Sequence, residues 1–403
     1  MSLSKISTLN LAHRYYIEVR LGWMPLHAAP WTAAFALALA AGAGATICYL
    51  YLSMTKRQDE EIRNGVLDLI GNTPLIRLAS LSKETGCEIL AKAEMLNPGG
   101  SVKDRVALQV ASEALAEGRL APGSLITEGT AGSTGVSLAM VAAALGCSCA
   151  ITMPDDAAVE KANMIKAYGA TVQRVRPVSI VHPDHPVNVA RRTAAATPGA
   201  LFADQFENEA NYRAHLKTGE EIWRQTRGRV DAFVSGAGTG GTIAGVSVSL
   251  KARNPRVKVF LVDPPGSSLF NKVKRGVLYT YEEAEGKRLR NPFDTITEGI
   301  GLNRLTANFD RAVIDDAFRG TDREAVEMSQ YLLRNEGLWV GSSAAMNCVG
   351  AVKAARALGP GHVVVTLLCD GGHRHLSKFH NPDYLEQMGL APVGQGRGLG
   401  FVA

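Results

Sequence analysis

The 403-residue sequence contains no run of basic residues, although its formal net charge is +5. The Lys and Arg residues are spread along the chain, whereas a nucleic-acid-binding surface needs them clustered. We therefore predict that the protein has no nucleic-acid partner.

Cysteine is also scarce, with six residues at positions 48, 87, 147, 149, 348 and 369. Most of them lie in apolar segments, and the pair at Cys147 and Cys149 lacks both metal-site spacing and a partner pair. His373 and His375 are two residues apart, so they do not converge on one helix face. We predict reduced, buried thiols in a reducing compartment and no metal site.

The first sixty residues differ from the rest of the chain. Residues 31–52 form an uncharged run of 22 residues with aromatic residues at both ends, long enough for a helix that crosses a hydrocarbon core of about 30 Å. A buried helix and a removable targeting segment are the alternatives. Residues 1–30 are basic and resemble a mitochondrial targeting segment. We expect a membrane anchor at 31–52, in the outer mitochondrial membrane or, as the alternative, in another intracellular membrane.

From Val66 onward, short apolar runs alternate with segments of helical period. The predicted strands are 88–96, 124–130, 149–154, 171–176, 231–236, 257–263 and 362–370, and the predicted helices are 102–117, 133–145, 159–168, a helix from 240, and 321–335. This alternation predicts an α/β fold built from βαβ units with parallel sheets. The Pro-rich segment 178–188 is expected to be a loop, and the Gly-rich residues 391–403 are expected to be loose.

The segment LNPGGSVKDRVALQV (96–110) places Lys103 between a Gly-Gly turn and the start of a helix. A lysine in this position is either solvated or held for chemistry, and the fragment alone does not decide between the two. Asp104 and Arg105 are expected to pair locally.

The segment VSGAGTGGTIAG (234–245) follows a predicted strand and opens a helix. Backbone N–H groups of such a glycine turn bind phosphate. Gly236, Gly238 and Gly241 also fit the dinucleotide fingerprint, with Asp263 as the acid at the end of the next strand. The phosphate therefore belongs either to a small cofactor or to NAD, in which case the protein would be an oxidoreductase.

A second glycine loop, EGTAGSTGVSLAM (128–140), lies between a strand and a helix. Thr130, Ser133 and Thr134 supply hydroxyl groups, and the N–H groups at the helix start suit a carboxylate. The alternative is an ordinary serine N-cap.

Five motifs in register resemble the cysteine synthase / cystathionine β-synthase family. They are GNTPLIRL (71–78), NPGGSVKDR (97–105), EGTAGSTG (128–135), GTGGT (238–242) and VGSSAA (340–345). The resemblance covers about residues 62–385, and DQFENEANYRAH and RPVSIVHPDHPVN are most similar to the fungal cysteine synthase 2 group. It implies the tryptophan-synthase-β-like fold type II of pyridoxal 5′-phosphate enzymes, with two three-layer α/β/α domains after the N-terminal transmembrane helix.

The resemblance also implies a role for individual residues. Lys103 is the catalytic lysine that binds the cofactor aldehyde, Ser343 faces the pyridine nitrogen, and Ser133 stands where the family has an Asn beside the phenolic oxygen. The cofactor phosphate is expected on Gly238, Thr239, Gly240, Gly241 and Thr242. The substrate is expected on Thr130, Ala131, Gly132, Thr134 and Gly299.

The implied reaction is β-replacement, a transferase reaction that forms L-cysteine from O-acetyl-L-serine and sulfide and releases acetate. Cystathionine β-synthase-like activity and cysteine desulfhydration are the alternatives within the family. The absence of a haem-binding extension and of a C-terminal regulatory module favours the synthase. A membrane-tethered scaffold without activity is the non-catalytic alternative.

The resemblance further implies a homodimer and two domains. The large cofactor-binding domain is expected at 62–104 plus 201–385, and a small mobile substrate domain at 105–200. Residues 386–403 are expected to form a C-terminal tail.

Overall fold

The computed structural model describes residues 62–280, 295–394 and 397–403. The predicted targeting segment at 1–30 and the predicted anchor at 31–52 lie outside these ranges. Within them, no helix is both long and apolar enough to cross a membrane. Residues Asn64–Ala403 form one compact unit.

The strands of the described residues form two sheets. In chain order they are β1 (Leu75–Arg77), β2 (Glu88–Ala93), β3 (Leu125–Gly129), β4 (Ser148–Pro154), β5 (Thr171–Val175), β6 (Leu201–Phe202), β7 (Ala232–Ser235), β8 (Lys258–Asp263), β9 (Asp316–Arg319) and β10 (Val363–Leu368). The six-stranded sheet has the order β1-β2-β10-β7-β8-β9. In this sheet β1 pairs antiparallel with β2, and all other neighbouring strands pair in parallel. The four-stranded sheet has the order β5-β4-β3-β6 and is parallel throughout.

The helices are interleaved with the strands along the chain. They are α1 (Ala79–Thr85), α2 (Lys103–Ala116), α3 (Ser133–Ala144), α4 (Val159–Ala167), α5 (Pro186–Ala196), α6 (Ala210–Thr226), α7 (Gly241–Arg253), α8 (Leu269–Arg275), α9 (Ala307–Asp310), α10 (Asp322–Glu336), α11 (Ser342–Leu358) and α12 (Pro382–Gln387). Short 3-10 turns occupy Val66–Leu69, Glu94–Leu96 and Gly372–Arg374. The prediction of an α/β fold with parallel sheets is confirmed.

Each face of the six-stranded sheet carries its own hydrophobic core, because alternate strand residues point to opposite faces. Val234 and Val364 belong to a core that includes much of α11. Their neighbours Phe233 and Val365 belong to a second core that includes residues of α7. Helices therefore cover both faces, which gives this part of the fold three layers.

The four-stranded sheet is also covered on two faces. Ile126 and Ile151 pack in a core with residues of α2 and α3. Thr127 points to the other face, where its hydroxyl donates a hydrogen bond of 3.0 Å to the carbonyl of Ala190 on α5. Strands β3, β4 and β5 of this sheet lie inside the range predicted for a small domain, 105–200, whereas β6 (Leu201–Phe202) lies just after it.

Several helices were not among those predicted from the sequence pattern, and α5 and α6 show why. Helix α5 begins at Pro186, inside the predicted loop 178–188, where His185 Nδ1 accepts a hydrogen bond of 3.2 Å from Val187 N as its N-cap. Proline suits the first turn of a helix because its missing N–H has no partner there in any case. Helix α6 was missed because its sequence is mostly polar and contains Gly219.

The expectation of a loose C-terminal tail is wrong. Leu399 and Val402 are 5% and 3% exposed and belong to the core beside α11. The Arg356 guanidinium of α11 donates a hydrogen bond of 2.9 Å to Leu399 O. Burial of these two side chains, with Phe401 packed against the same core, outweighs the flexibility that the glycines confer.

Candidate active site

A cavity of about 320 Å³ lies where strands of both sheets end. Its walls include the residues that follow β3 and β7 and the pair Cys369–Asp370 after β10. Ligands of parallel α/β sheets bind at the carboxyl ends of the strands, and the volume lies in the range of small-molecule sites.

The cavity contains every residue that the sequence predicted for the site except Gly241. The lining residues among those predicted are Lys103, Thr130, Ala131, Gly132, Ser133, Thr134, Gly238, Thr239, Gly240, Thr242, Gly299 and Ser343. Gly241 is the first residue of α7, so its backbone N–H is the part of it available to a ligand.

The end of β10 holds the segment that carries Lys103. Val102 N donates a hydrogen bond of 2.9 Å to Cys369 O, and Ser101 forms a β-bridge with Asp370. Lys103 then opens α2 and points its side chain into the cavity. Its position therefore depends on residues more than 260 positions away in the chain.

Burial lowers the pKa of Lys103, because a charged ammonium loses its water there. Asp370 and Cys369 act in the opposite direction and offset part of this effect. Desolvation is thus the dominant cause of the shift. A lowered pKa favours the neutral amine that can bond to an aldehyde.

The glycine-rich turn at 236–242 presents mainly backbone atoms to the cavity. Gly240 has φ +87°, and a Cβ there would lie 2.6 Å from the backbone of Phe309. Thr239 is held from both sides, since Asn211 Nδ2 donates to its hydroxyl at 2.7 Å and Thr306 Oγ1 donates to its carbonyl at 2.8 Å. With the start of α7 behind it, the turn fits a phosphate group.

Asp263 does not belong to this site. Its side chain is 1% exposed and does not line the cavity, and its Oδ2 accepts a hydrogen bond of 2.7 Å from Phe270 N. The dinucleotide interpretation needs this carboxylate beside a ribose. The NAD-dependent alternative is therefore wrong.

The loop 129–134 closes a second side of the cavity. Gly132 has φ +151°, and a Cβ there would lie 2.3 Å from the Lys161 side chain. The hydroxyl of Thr134 donates a hydrogen bond of 2.5 Å to Gln205 Oε1, and Gly132 N donates one of 3.2 Å to Thr130 Oγ1. The loop thus brings backbone and hydroxyl groups to the start of α3, which suits a carboxylate.

A buried ionic network runs along the cavity wall beside this loop. Lys161 Nζ pairs with Glu298 Oε2, and His375 contacts both Glu298 Oε2 at 3.4 Å and Asp370 Oδ2 at 3.0 Å. Burial acts to raise the pKa of Glu298, but His375 and Lys161 outweigh it and hold that pKa below its usual range. Burial also acts to raise the pKa of Asp370, but the nearby charges, chiefly His375, outweigh it and lower this pKa to about 2.

Ser343 is the second residue of α11, and the N-cap of this helix is Gly341. The Ser343 hydroxyl lies beside the thiol of Cys369, whose pKa burial raises to about 12. The thiol is therefore protonated and not a nucleophile at neutral pH.

Asp104 and Arg105 do not pair with each other. Asp104 accepts hydrogen bonds from Gly99 N at 2.6 Å and from Ser137 Oγ at 2.5 Å. Arg105 forms buried ion pairs with Glu94 and Glu221, both at 2.7 Å. Two successive side chains at the start of α2 point in different directions, which is why sequence adjacency did not predict their partners.

Several lining residues carried no sequence prediction, namely Lys161, Gln205, Glu298, Cys369 and Asp370. Gln205 lies within the DQFENEANYRAH segment, and Glu298 directly precedes Gly299, so both stood next to recognised signals. Lys161 carried no such signal, because it reads as an ordinary lysine on an amphipathic helix.

A mainly parallel and a parallel sheet, a cavity at their carboxyl ends, a lysine of lowered pKa and a glycine turn that fits a phosphate are the features of a pyridoxal-phosphate enzyme of fold type II. A family model described as "Pyridoxal-phosphate dependent enzyme" matches residues 66–370. The chain belongs to this family and, within it, to the cysteine synthase / cystathionine β-synthase group.

Three relatives carry related names. "Cysteine synthase 2" of Schizosaccharomyces pombe is 54% identical over 83% of this chain and 88% of its own length. "Cysteine synthase 2" of Neurospora crassa is 53% identical over 81% and 74% of the two chains. "Putative mitochondrial cysteine synthase" of Saccharomyces cerevisiae is 48% identical over 82% and 88%. The predicted likeness to the fungal cysteine synthase 2 group is confirmed.

Solved structures agree with this assignment. O-ureido-L-serine synthase has a TM-score of 0.70 and 34% identity, over 79% of this chain and 95% of that chain. The O-acetylserine dependent cystathionine beta-synthase from Helicobacter pylori has a TM-score of 0.69 and 31% identity, over 79% and 98%. The protein is therefore a pyridoxal-phosphate dependent enzyme.

Proposed function

We propose that this enzyme forms L-cysteine from O-acetyl-L-serine and sulfide by β-replacement, with release of acetate. The observation that carries the proposal is the lysine of lowered pKa that faces the phosphate-binding turn, in a chain 54% identical to a protein named cysteine synthase. Pyridoxal phosphate, when bound, supplies an electron sink that stabilises negative charge at the substrate Cα.

The cavity residues would hold the cofactor at four points. Lys103 would bond to its aldehyde, Ser133 would donate a hydrogen bond to its phenolic oxygen, and Ser343 would face its ring nitrogen. The turn formed by Gly238, Thr239, Gly240, Gly241 and Thr242 would bind its phosphate. A serine hydroxyl at the ring nitrogen does not supply a proton as a carboxylic acid does, which favours prompt departure of a β-substituent over a long-lived carbanion.

Lys103 also moves the protons of the reaction. Its Nζ, whose pKa is lowered by burial, accepts the proton from the substrate Cα and later returns a proton to the same carbon after the C–S bond has formed. The substrate carboxylate binds the loop residues Thr130, Ala131, Gly132 and Thr134, and Gly299 faces the amino end of the substrate.

The full 403-residue chain, supplied with pyridoxal phosphate, tests the reaction directly. O-acetylserine and sulfide should yield cysteine and acetate in equal amounts. Serine with homocysteine tests the cystathionine β-synthase alternative, and cysteine alone tests desulfhydration by release of sulfide. The proposal fails if cystathionine or sulfide forms while cysteine does not, and a chain inactive in all three assays supports the scaffold.

We also propose that residues 105–200 form a small domain that closes over the substrate, with 62–104 plus 201–385 as the large domain. The separate four-stranded sheet supports this division, since three of its strands lie within 105–200 and the fourth, β6, follows at Leu201–Phe202. Hydrogen exchange with and without O-acetylserine tests it, since closure should protect the 129–134 loop. Unchanged exchange there would contradict it.

Residues 31–52 are proposed to anchor the enzyme in the outer mitochondrial membrane, and two copies of the chain to form a homodimer. The uncharged run of 22 residues and the yeast relative named mitochondrial support the location. Extraction of mitochondria at alkaline pH should leave the chain in the membrane pellet. Sedimentation of the purified chain measures its oligomeric state.

A further inference from the structure

A buried histidine lies directly behind the phosphate-binding turn. His215, on α6, is 0% exposed, and its Nε2 lies 3.1 Å from the hydroxyl oxygen of Thr242. Its other ring nitrogen, Nδ1, lies 3.1 Å from the hydroxyl oxygen of Thr218, which is also fully buried. Of these three residues, Thr242 alone lines the cavity. His215 is thus separated from a bound ligand by a single hydroxyl group.

The ring of His215 is neutral. Burial holds its pKa well below its usual range, and the positive charges of Arg105 and Lys103 act in the same direction. A neutral imidazole has one N–H donor and one acceptor nitrogen. One of the two hydroxyl groups therefore accepts a hydrogen bond from the ring, and the other donates one to it. Either tautomer is compatible with the observed positions of the nitrogen and oxygen atoms.

A phosphate group removes this ambiguity. Its oxygens accept hydrogen bonds, so the single hydrogen of the Thr242 hydroxyl has to point toward the phosphate. The Thr242 oxygen is then free to accept from His215 Nε2–H. As a consequence, Nδ1 is the acceptor and receives the hydrogen of Thr218.

We propose that His215 is a positioning residue for the cofactor phosphate, fixed as the Nε2–H tautomer between Thr218 and Thr242. In this tautomer it holds the Thr242 hydroxyl with its hydrogen toward the cavity. The inference rests on the proposed placement of the phosphate in the 238–242 turn. In the other tautomer, the Thr242 hydroxyl donates its hydrogen to His215 Nε2. Only the lone pairs of its oxygen then face an anion in the cavity.

Two substitutions of His215 separate this role from a merely structural one. The amide nitrogen of His215→Gln reaches about the position of Nε2 and can donate to Thr242. The shorter side chain of His215→Asn ends near the position of Nδ1 and cannot reach it. Both replacements are polar and of similar burial, so they form a matched pair.

The dissociation constants of pyridoxal phosphate and of pyridoxal, which lacks the phosphate, are measured on the full chain. We expect His215→Asn to raise the dissociation constant of pyridoxal phosphate about tenfold. This is the effect of losing one charge-assisted hydrogen bond. His215→Gln should stay within about threefold of the wild type. Neither variant should change the affinity for pyridoxal.

The outcomes distinguish the inference from the proposal it rests on. Equal weakening of both ligands by both variants, or wild-type affinity in His215→Asn, would overturn the role of His215. If the unmodified chain binds pyridoxal as tightly as pyridoxal phosphate, the placement of the phosphate in the turn is wrong instead.

A measurement on the unmodified chain decides the matter even if a variant does not fold. In the full chain labelled with ¹⁵N-histidine and loaded with pyridoxal phosphate, the nitrogen shifts reveal which ring nitrogen carries hydrogen. The His215 signal is assigned through its proximity to Thr218 and Thr242. We expect hydrogen on Nε2, and hydrogen on Nδ1 would overturn the proposal.

Discussion

Ser137 Oγ donates a hydrogen bond of 2.5 Å to Asp104 Oδ1, and this contact joins two helices that both begin at the cavity. Asp104 directly follows Lys103 in α2, and Ser137 lies one turn after Ser133 in α3. Both side chains are 0% exposed. The lysine and the substrate loop are therefore held together by one buried polar pair.

Ser137→Ala should destabilise the fold through this pair. Burial already raises the pKa of Asp104 to about 6, and the Ser137 hydroxyl opposes that rise. Without the hydroxyl, Oδ1 is buried and unpaired, and we expect a loss of about 1–3 kcal/mol in the free energy of unfolding, measured in urea. Ser112→Ala, at an exposed site on α2, the helix that carries Asp104, is the control. A loss equal to the control would contradict the prediction.

Lys103→Ala should remove both the covalent link to the cofactor and the proton carrier. We expect turnover to fall by at least about a thousandfold and the visible absorption band of the bound cofactor to disappear. Non-covalent binding of pyridoxal phosphate should remain, because the 238–242 turn is unchanged. Lys83→Ala, at an exposed lysine of α1, should keep both signals. Retained turnover in Lys103→Ala would falsify the assignment.

The pair between Lys161 and Glu298 should show strong coupling. The two side chains are 4% and 22% exposed, so Lys161→Met leaves a carboxylate that only His375 pairs at 3.4 Å. We expect a loss of about 3 kcal/mol in the free energy of unfolding. The KM for O-acetylserine should also rise, because Gly132 of the substrate loop rests against Lys161.

A double-mutant cycle isolates this coupling. The variant with both Lys161→Met and Glu298→Gln should lose less than the sum of the two single losses, since no unpaired charge remains. Lys166→Met, at an exposed lysine on the same helix, should behave like the wild type. Strict additivity would mean that the two residues do not stabilise each other.

Glu128 should make the protein less stable as the pH rises. Burial raises the pKa of this carboxyl from 4.5 to about 8, against the hydrogen bonds that it accepts from Gln205 N and Gly129 N. Between these values the folded chain holds a proton that the unfolded chain releases. The contribution of Glu128 is therefore fully present below pH 4.5 and is lost as the pH rises through about 8.

Unfolding in urea at a series of pH values measures this effect. Glu128→Gln should flatten the decline by an amount on the order of a few kcal/mol across this range. The control is Glu117→Gln, at an exposed position of the chain, which should keep the slope of the wild type. An unchanged slope in Glu128→Gln would show that this carboxyl does not titrate as described.

The sequence predicted the α/β class, most strands, and a set of site residues nearly all of which line the cavity, because these features have local signatures. The glycine turn at 238–242, the loop at 130–134 and the start of α2 at Lys103 are each encoded by a few consecutive residues. The placement of α6 was missed for the opposite reason. Its Gly219 packs where a Cβ would lie 2.5 Å from Ser249 on α7, so a residue that weakens a helix locally is required by its neighbour.

Local signals indicated which backbone segments suit a phosphate or a carboxylate, and the family pattern predicted Lys103 as the catalytic lysine. Only the tertiary structure decided what surrounds them: that burial lowers the pKa of Lys103, that Asp263 lies outside the cavity, and that Lys161 meets Glu298, 137 positions later. The physical reason is that burial and charge pairing depend on distances through space. Those distances are set when the two sheets pack, and sequence separation does not reveal them.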